Sequence, residues 1–565
     1  MPQLESVKSS VTDVCICINS EEDKQKNISH GAEKTNFQEE DKAPDNDGNN
    51  TESKDFQKQN SIANEPLTSC GLHLNDFNIP EDFDEVAVTE DVLERMLREY
   101  LGDNDRNSPW TIKKSPISGR GVFATRDLNP GDLVFCDVPL ALGPRAGSSC
   151  PLICVGCHKT DSFTFTGCTR GCGLPVCSAA CETAPRHRAE CQLLHQPGRT
   201  QWSARLLRGL TPLRCLLLPP DKKKILLCLQ AHQHSQHAFE VEYIKNEVTL
   251  SPTEECFLKR ACCTLDSNAF RASTSLRGLY PLGSLLNHQC TPNTQHGYDE
   301  DNRLVVRTAV FVPAGVELTN SYTPLLWSTQ ARRHNLAFIK HFACNCLRCQ
   351  DPQEMGARLG ALPCARDGCP GAVLSVDPLL ATTKWRCDVC GIIVPGRQAA
   401  LVQNTLGNLL ESVNQDDPQQ VANFLLRQQG VLPQTNQVVV EMKRILVELY
   451  GHREGWNWAE LTDCMLTHKE SLCRELLELV RLLGAGQCKL RGIFLYELHC
   501  TLMEKLRRMS LTDDGLKNET RDVFQEALAA IQEAVDIFKD DSTAPSDARR
   551  RLEDALKSSW SAVPA

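Results

Sequence analysis

Apolar residues recur at helical spacing in "DEVAVTEDVLERMLREYLG", where Val88, Val92, Leu93, Met96 and Leu97 share one face of a predicted helix. The next stretch, "WTIKKSPISGRGVFATRDLNPGDLVFCDVPLAL", reads as two strand-like runs around turn residues at Asn129-Pro130-Gly131. A Cys-rich stretch at 150–191 interrupts the pattern, and mostly helical periodicity then runs to about residue 265. Strand-and-turn patterning fills 265–323. From about residue 400 the helical period returns. Leu472, Leu476, Leu479 and Leu483 repeat every three or four residues, as do Phe524, Leu528, Ile531, Val535 and Phe538. That is the pattern of helix hairpins packed as a bundle, without a clean self-similarity of about 34 residues that would mark a helical repeat.

Residues 1–84 carry no such period. They are rich in Asp, Glu, Asn, Lys, Gln and Ser, and hold 18 acidic against 7 basic side chains. A segment of this kind cannot bury enough apolar area to offset its chain entropy, so it is predicted to be a disordered acidic tail. The remaining residues balance at 54 acidic and 54 basic. The chain's net charge of −11 therefore belongs to the tail, and the body lacks the basic excess that strong direct nucleic-acid binding needs. At 565 residues the chain can hold several domains of roughly 100–200 residues each. No run of 18 apolar residues predicts a membrane span, and the N-terminus lacks a basic flank followed by an apolar block. An intracellular protein of nucleus or cytoplasm is expected, in which 29 cysteines serve as metal ligands and reduced core thiols.

Three cysteine clusters carry the candidate metal chemistry. The first comprises Cys154, Cys157, Cys168, Cys172, Cys177, Cys181, His187 and Cys191: eight ligands in 38 residues, enough for two tetrahedral zinc ions. So short a segment has little core of its own, and zinc would supply its folding energy, on the order of 10 kcal/mol per ion. The second, "CNCLRC", offers only Cys344, Cys346 and Cys349. A closed site needs a fourth ligand, and Cys290 in "NHQCTPN" is the natural candidate. That stretch by itself reads equally as a turn closed by Pro292-Asn293, as the end of a buried strand with a core histidine, or as the source of one zinc ligand. The third cluster, Cys364, Cys369, Cys387 and Cys390, has the two-pair spacing of a zinc ribbon. Four zinc ions per chain are predicted.

"SGRGVFATRDLNPGD", "NHQCTPN", "LTNSYTPLL" and "CNCLRC", in that order, resemble a SET domain, the lysine methyltransferase fold. The eight-ligand cluster resembles a MYND zinc finger. SET split by MYND is similar to the SMYD family, and "ESLCRELLELVRLLGAGQCKLRGIFLYEL" is similar to its arthropod SmydA group. The resemblance covers about residues 108–540. It implies an α+β fold of SET-domain β-sheets with a pseudo-knot. The parts would be the SET N-terminal part (108–149), MYND finger (150–191), helical insert (192–264), SET core (265–330), post-SET zinc segment (331–352), a zinc-ribbon-like segment (360–395) and a C-terminal helical domain (400–560). Within the first cluster, Cys154, Cys157, Cys177 and Cys181 are expected on one ion and Cys168, Cys172, His187 and Cys191 on the other.

The resemblance further implies S-adenosyl-L-methionine as cofactor, a protein-lysine substrate, histone or non-histone, and a peptide partner for the MYND finger. Gly119, Arg120 and Gly121 would lie against the methionine end of the cofactor, where missing side chains admit backbone to the ligand. Asn268 matches a cofactor-contacting Asn. Asn287 and His288 would hold the cofactor by side-chain and backbone hydrogen bonds, Phe342 would pack on its adenine, and Tyr322 would stand at the mouth of the lysine channel as the catalytic tyrosine. One position departs from the family: Lys340 stands where a second tyrosine is usual, about four residues before the post-SET cysteines. The sequence thus supports two readings, a protein-lysine N-methyltransferase or a catalytically weak SET/MYND adaptor acting as an interaction module in transcriptional regulation.

Overall fold

A computed structural model of the chain describes residues 88–561, except 104, 106, 147–151, 161–164, 233–238, 274 and 510–516, and except the side chains of 517–519 and 558–561. The acidic tail predicted at 1–84 lies outside the described residues.

The predicted first helix is Glu90–Leu101, opened by Glu90 and Asp91 and closed by Gly102 in the left-handed region (φ 66°). Its buried Leu93 and Leu97 face the first hairpin, β1 (Trp110–Lys114) and β2 (Arg120–Ala124). Next come β3 (Leu133–Asp137) and β4 (Ala141–Pro144), then the finger with its small ribbon β5 (Thr166–Gly167) and β6 (Pro175–Val176). The helical insert follows, and its last helix, Pro252–Asn268, starts with a full capping box from Ser251 and Glu254. That helix runs past the boundary expected at 264/265 and ends at Asn268, where Ala269 turns to extended backbone.

The core strands are β7 (Phe270–Arg271), β8 (Leu276–Leu279), β9 (Asn287–His288), β10 (Thr294–Tyr298), β11 (Leu304–Thr308) and β12 (Glu317–Asn320). They form three small sheets, ordered β1-β2-β12-β9, β10-β11-β3 and β4-β8-β7. Most pairs are antiparallel, but β9 lies parallel to β12, with Asn287 opposite Thr319 and His288 opposite Asn320. The chain then turns back across the same strand. Asn293 Nδ2 donates to Glu317 O (2.8 Å) and Thr294 Oγ1 to Thr319 O (2.8 Å). Residues 287–294 thus embrace β12 from two sides, where the SET resemblance puts its pseudo-knot.

After the helix Thr329–Ile339 a second module carries β13 (Leu362–Pro363), β14 (Ala372–Ser375), β15 (Trp385–Cys387) and β16 (Ile393–Val394) in one antiparallel sheet. Helices from Gly396 onward complete the chain, with Leu472, Leu476, Leu479 and Leu483 buried as their spacing requires. Two large cores result. One joins the SET strands, finger and insert, and the other joins the ribbon to the C-terminal helices. The helices dock on the SET sheets through Ser542 N–H to Tyr298 O (2.6 Å), Gln487 N–H to Ala309 O (2.8 Å) and an Arg307–Asp540 ion pair. Among the described residues no helix is long and apolar enough to cross a membrane.

Candidate functional site

Four groups of cysteine and histidine converge, each with its ligand atoms within 4.8 Å of one another. They are Cys154, Cys157, Cys177 and Cys181; Cys168, Cys172, His187 and Cys191; Cys290, Cys344, Cys346 and Cys349; and Cys364, Cys369, Cys387 and Cys390. The finger therefore pairs in the crossed fashion, and Cys290 is the fourth member of the post-SET group. Zinc–sulfur bonds of about 2.3 Å give a tetrahedron with sulfur–sulfur edges of about 3.8 Å. The observed separations match: Cys157–Cys177 3.5 Å, Cys168–Cys191 3.8 Å, Cys290–Cys344 3.9 Å and Cys369–Cys387 3.7 Å. Each group fits one closed zinc site, with no open position for chemistry at the metal.

The surroundings of two groups supply residues that the sequence reading missed. His187 Nδ1 lies 2.9 Å from Glu190 Oε1, so His187 Nε2 is left as the ligand atom, 3.4 Å from Cys172 Sγ. Such a carboxylate–histidine pair fixes the ring's tautomer and raises its basicity. Glu190 is itself clamped by Arg214, whose Nε donates to Oε2 (2.6 Å) and Nη2 to Oε1 (2.8 Å). Burial pushes the Glu190 carboxyl up, but the Arg214 guanidinium and His187 reverse this and hold it below the usual carboxylate range. Arg214 also donates to Leu142 O of β4 (2.5 Å) and Val155 O of the finger (2.9 Å), fastening finger to SET sheet. Glu190, three residues after His187 on one helix, was visible by spacing; Arg214 was not.

At the post-SET group a zinc with four thiolates carries two excess negative charges, and two buried guanidiniums face it. Arg332 lies 3.8 Å from Cys349 Sγ and donates to Glu354 Oε2 (2.9 Å), while Arg348 donates to Cys290 O (3.0 Å). The same site reaches the "NH" of the motif. His288 Nδ1 accepts from Tyr322 N–H (3.0 Å), which leaves Nε2 as the protonated nitrogen, 3.2 Å from Cys290 Sγ. His288 is therefore locked between the zinc thiolate and the backbone of Tyr322.

Asn287 also performs a task within the chain. Its amide donates to Ser118 O (3.1 Å), Arg120 O (3.1 Å) and Glu317 Oε1 (2.7 Å), so it secures the 118–120 loop. Among the described residues nothing donates to Asn287 Oδ1. Glu317 is held in turn by Ser115 Oγ (2.8 Å). The two glycines of the loop have separate reasons. Gly119 has φ +51° and open space where a Cβ would stand, whereas a Cβ at Gly121 would fall on the Glu317 carboxylate. The missing side chain at Gly121 thus makes room for Glu317. Arg120 sends its guanidinium to Cys228 O (2.6 Å).

Three rings meet beside this loop. His288 is 5.2 Å from Tyr322 and 5.9 Å from Phe342, centroid to centroid, and Phe342 is 36% exposed. The Tyr322 hydroxyl donates to Leu286 O (2.6 Å), and burial, with the Glu317 carboxylate nearby, pushes its ionisation well above the usual phenol range. Lys340 Nζ lies 5.8 Å from the Tyr322 ring centroid. It donates to Ser267 O (2.7 Å) and Asp266 O (3.2 Å), at the end of the helix that carries Asn268. Asn268 Nδ2 donates to Gln230 O (2.6 Å) and Thr264 O (2.8 Å). Segments near 119, 268, 287, 322 and 342 are therefore contiguous.

Comparison with known proteins places this arrangement. Residues 119–323 match the SET domain family. Over 437 residues the chain is 35% identical to SET domain-containing protein SmydA-8, isoform B, of Drosophila melanogaster, an alignment spanning 73% of this chain and 96% of that protein. Isoform A is 33% identical over 434 residues, spanning 73% and 93%. Histone-lysine N-methyltransferase SMYD3 of Mus musculus is 32% identical over 260 residues, 41% of this chain and 59% of that protein. With similarity along nearly the whole of the fly protein, and with SET and zinc-ligand segments in one chain, this protein belongs to the SMYD family of SET-domain proteins, in its SmydA group.

Proposed function

We propose that the chain is an S-adenosylmethionine-dependent protein-lysine N-methyltransferase. The observation that carries this reading is the contact between the Gly119 loop, the end of the helix carrying Asn268, Asn287-His288, Tyr322 and the segment of Lys340 and Phe342, which lie far apart in sequence. The residues there suit the cofactor. Gly119 leaves open space beside a left-handed backbone turn, Asn287 Oδ1 is an acceptor to which no described residue donates, and the partly exposed Phe342 offers a ring face to an adenine. When bound, the cofactor supplies a methyl group activated on a sulfonium.

The chain's own residues position and desolvate. Transfer to an amine is an in-line displacement, so alignment of donor and acceptor is the main demand. The acceptor lysine must be neutral, against an ordinary pKa of about 10.4, and an apolar channel favours the neutral form. Tyr322 stays a neutral phenol, and with its proton committed to Leu286 O its oxygen can accept from the substrate amine. Zinc works through architecture: the post-SET site fixes Cys290, and through it His288 and the backbone of Tyr322. The finger's two closed sites leave it to bind a partner peptide. The free thiols, grouped as metal ligands, suit a reducing compartment, nucleus or cytoplasm.

Calorimetric titration of the full chain with S-adenosylmethionine, followed by methyl transfer to protein lysines, tests the reading. Binding is expected in the wild type and in Tyr322→Phe, with transfer slowed only in the variant. Absence of binding in a folded, zinc-loaded chain would replace the enzyme by the adaptor.

A further inference from the structure

Lys340 follows the helix Thr329–Ile339, and its side chain crosses to the C-terminal end of Pro252–Asn268. There Nζ donates to Ser267 O at 2.7 Å and Asp266 O at 3.2 Å. Two carbonyl acceptors match the two N–H donors of a neutral primary amine. The lone pair of that amine is then directed away from both carbonyls, on a nitrogen 5.8 Å from the Tyr322 ring centroid. An ammonium would instead bring a third N–H into a half-buried position, where an unpaired donor is costly. Burial pushes the Lys340 amine down to about 8, against the opposing pull of the Asp266 carboxylate. Its neighbours are Tyr322, assigned above to the lysine channel, and the Asp266-Ser267 backbone, which directly precedes Asn268, assigned above to the cofactor. The nitrogen is thus held beside Tyr322 with its lone pair free of both carbonyls.

We infer that Lys340 is a methylation site of this chain, modified by its own SET domain in an intramolecular transfer. The inference rests on the methyltransferase reading above. Once the resting ammonium has given a proton to water, the Nζ lone pair forms the new N–C bond as the donor's S–CH3 bond breaks, the sulfonium leaves as a neutral thioether, and the product is a monomethylammonium that keeps both N–H groups. A monomethylated ammonium still has two N–H groups for Ser267 O and Asp266 O, whereas a dimethylated one has a single N–H and must abandon one carbonyl. Monomethyl-lysine is therefore the expected product.

The test uses the full, zinc-loaded chain. It is incubated with methyl-labelled S-adenosylmethionine, cut with a protease that does not cleave at lysine, and the modified peptide is identified by mass spectrometry. One methyl group on Lys340 is expected, at a rate per molecule unchanged on dilution and lost in Lys340→Arg. A second readout needs no turnover: a small amine-acylating reagent should modify Lys340 in the free chain, and S-adenosylhomocysteine should protect it. Calorimetric binding of S-adenosylhomocysteine with no label on Lys340 and no protection would overturn this inference while leaving the proposed function standing. Failure to bind either S-adenosyl compound would remove both.

Discussion

Glu190→Gln should loosen the finger from two directions at once. The substitution keeps volume but removes a charge from a side chain 1% exposed, which holds His187 Nδ1 at 2.9 Å and Arg214 at 2.6 and 2.8 Å. A glutamine offers one oxygen where the carboxylate offers two, and its NH2 faces guanidinium donors. Arg214, with a side chain 10% exposed, is then a buried cation without a counter-charge. Breaking such a pair costs about 3–5 kcal/mol. The low end, about 3 kcal/mol, is expected, because Arg214 keeps the carbonyls of Leu142 and Val155. Separately, losing the carboxylate behind a metal-bound imidazole lowers metal affinity by roughly 10–100-fold. Zinc competition against a chromophoric chelator reads the second effect, and equilibrium denaturation at saturating zinc reads the first. The double variant with Arg214→Leu should recover part of the stability but none of the zinc affinity, since it removes the orphaned cation and not the orphaned imidazole. A loss below about 0.5 kcal/mol, with zinc affinity unchanged, would refute the clamp.

The two glycines of the 118–121 loop should differ in kind. Gly121→Ala displaces Glu317 from Ser115 and Asn287 and should destabilise by about 1–3 kcal/mol, whereas Gly119→Ala pays only for φ +51°, about 1 kcal/mol; equal denaturation midpoints for the two variants would show that Glu317 is not wedged against Gly121. Cys290→Ser should remove one of four zinc ions by metal analysis and lower the melting temperature, because the site fastens residues 54 to 59 positions apart; four ions retained per chain would mean that another side chain completes that site.

Much of this protein was determined by short-range pattern. The finger's eight ligands sit within 38 residues and the ribbon's four within 27, so spacing alone gathered them. The leucines of the C-terminal helices fell on buried faces because the 3.6-residue period is a local property of the backbone. The SET resemblance and the place of Cys290 were legible for a similar reason: a closed zinc site with three nearby thiolates demands a fourth. What the tertiary structure decided is where long-range partners meet. The parallel pairing of β9 with β12 delivers Asn287 to carbonyls 167 and 169 residues upstream, and makes it an anchor of the glycine loop. Gly121 is required by a carboxylate nearly two hundred positions away. Arg214 reaches Glu190 across the junction of finger and insert, and Lys340 ends on the carbonyls of a helix some seventy residues earlier. None of these partners has a period or a spacing that a one-dimensional pattern can carry. They follow from sheet register and from the unpaired carbonyls at a helix end, which exist only once the chain has folded.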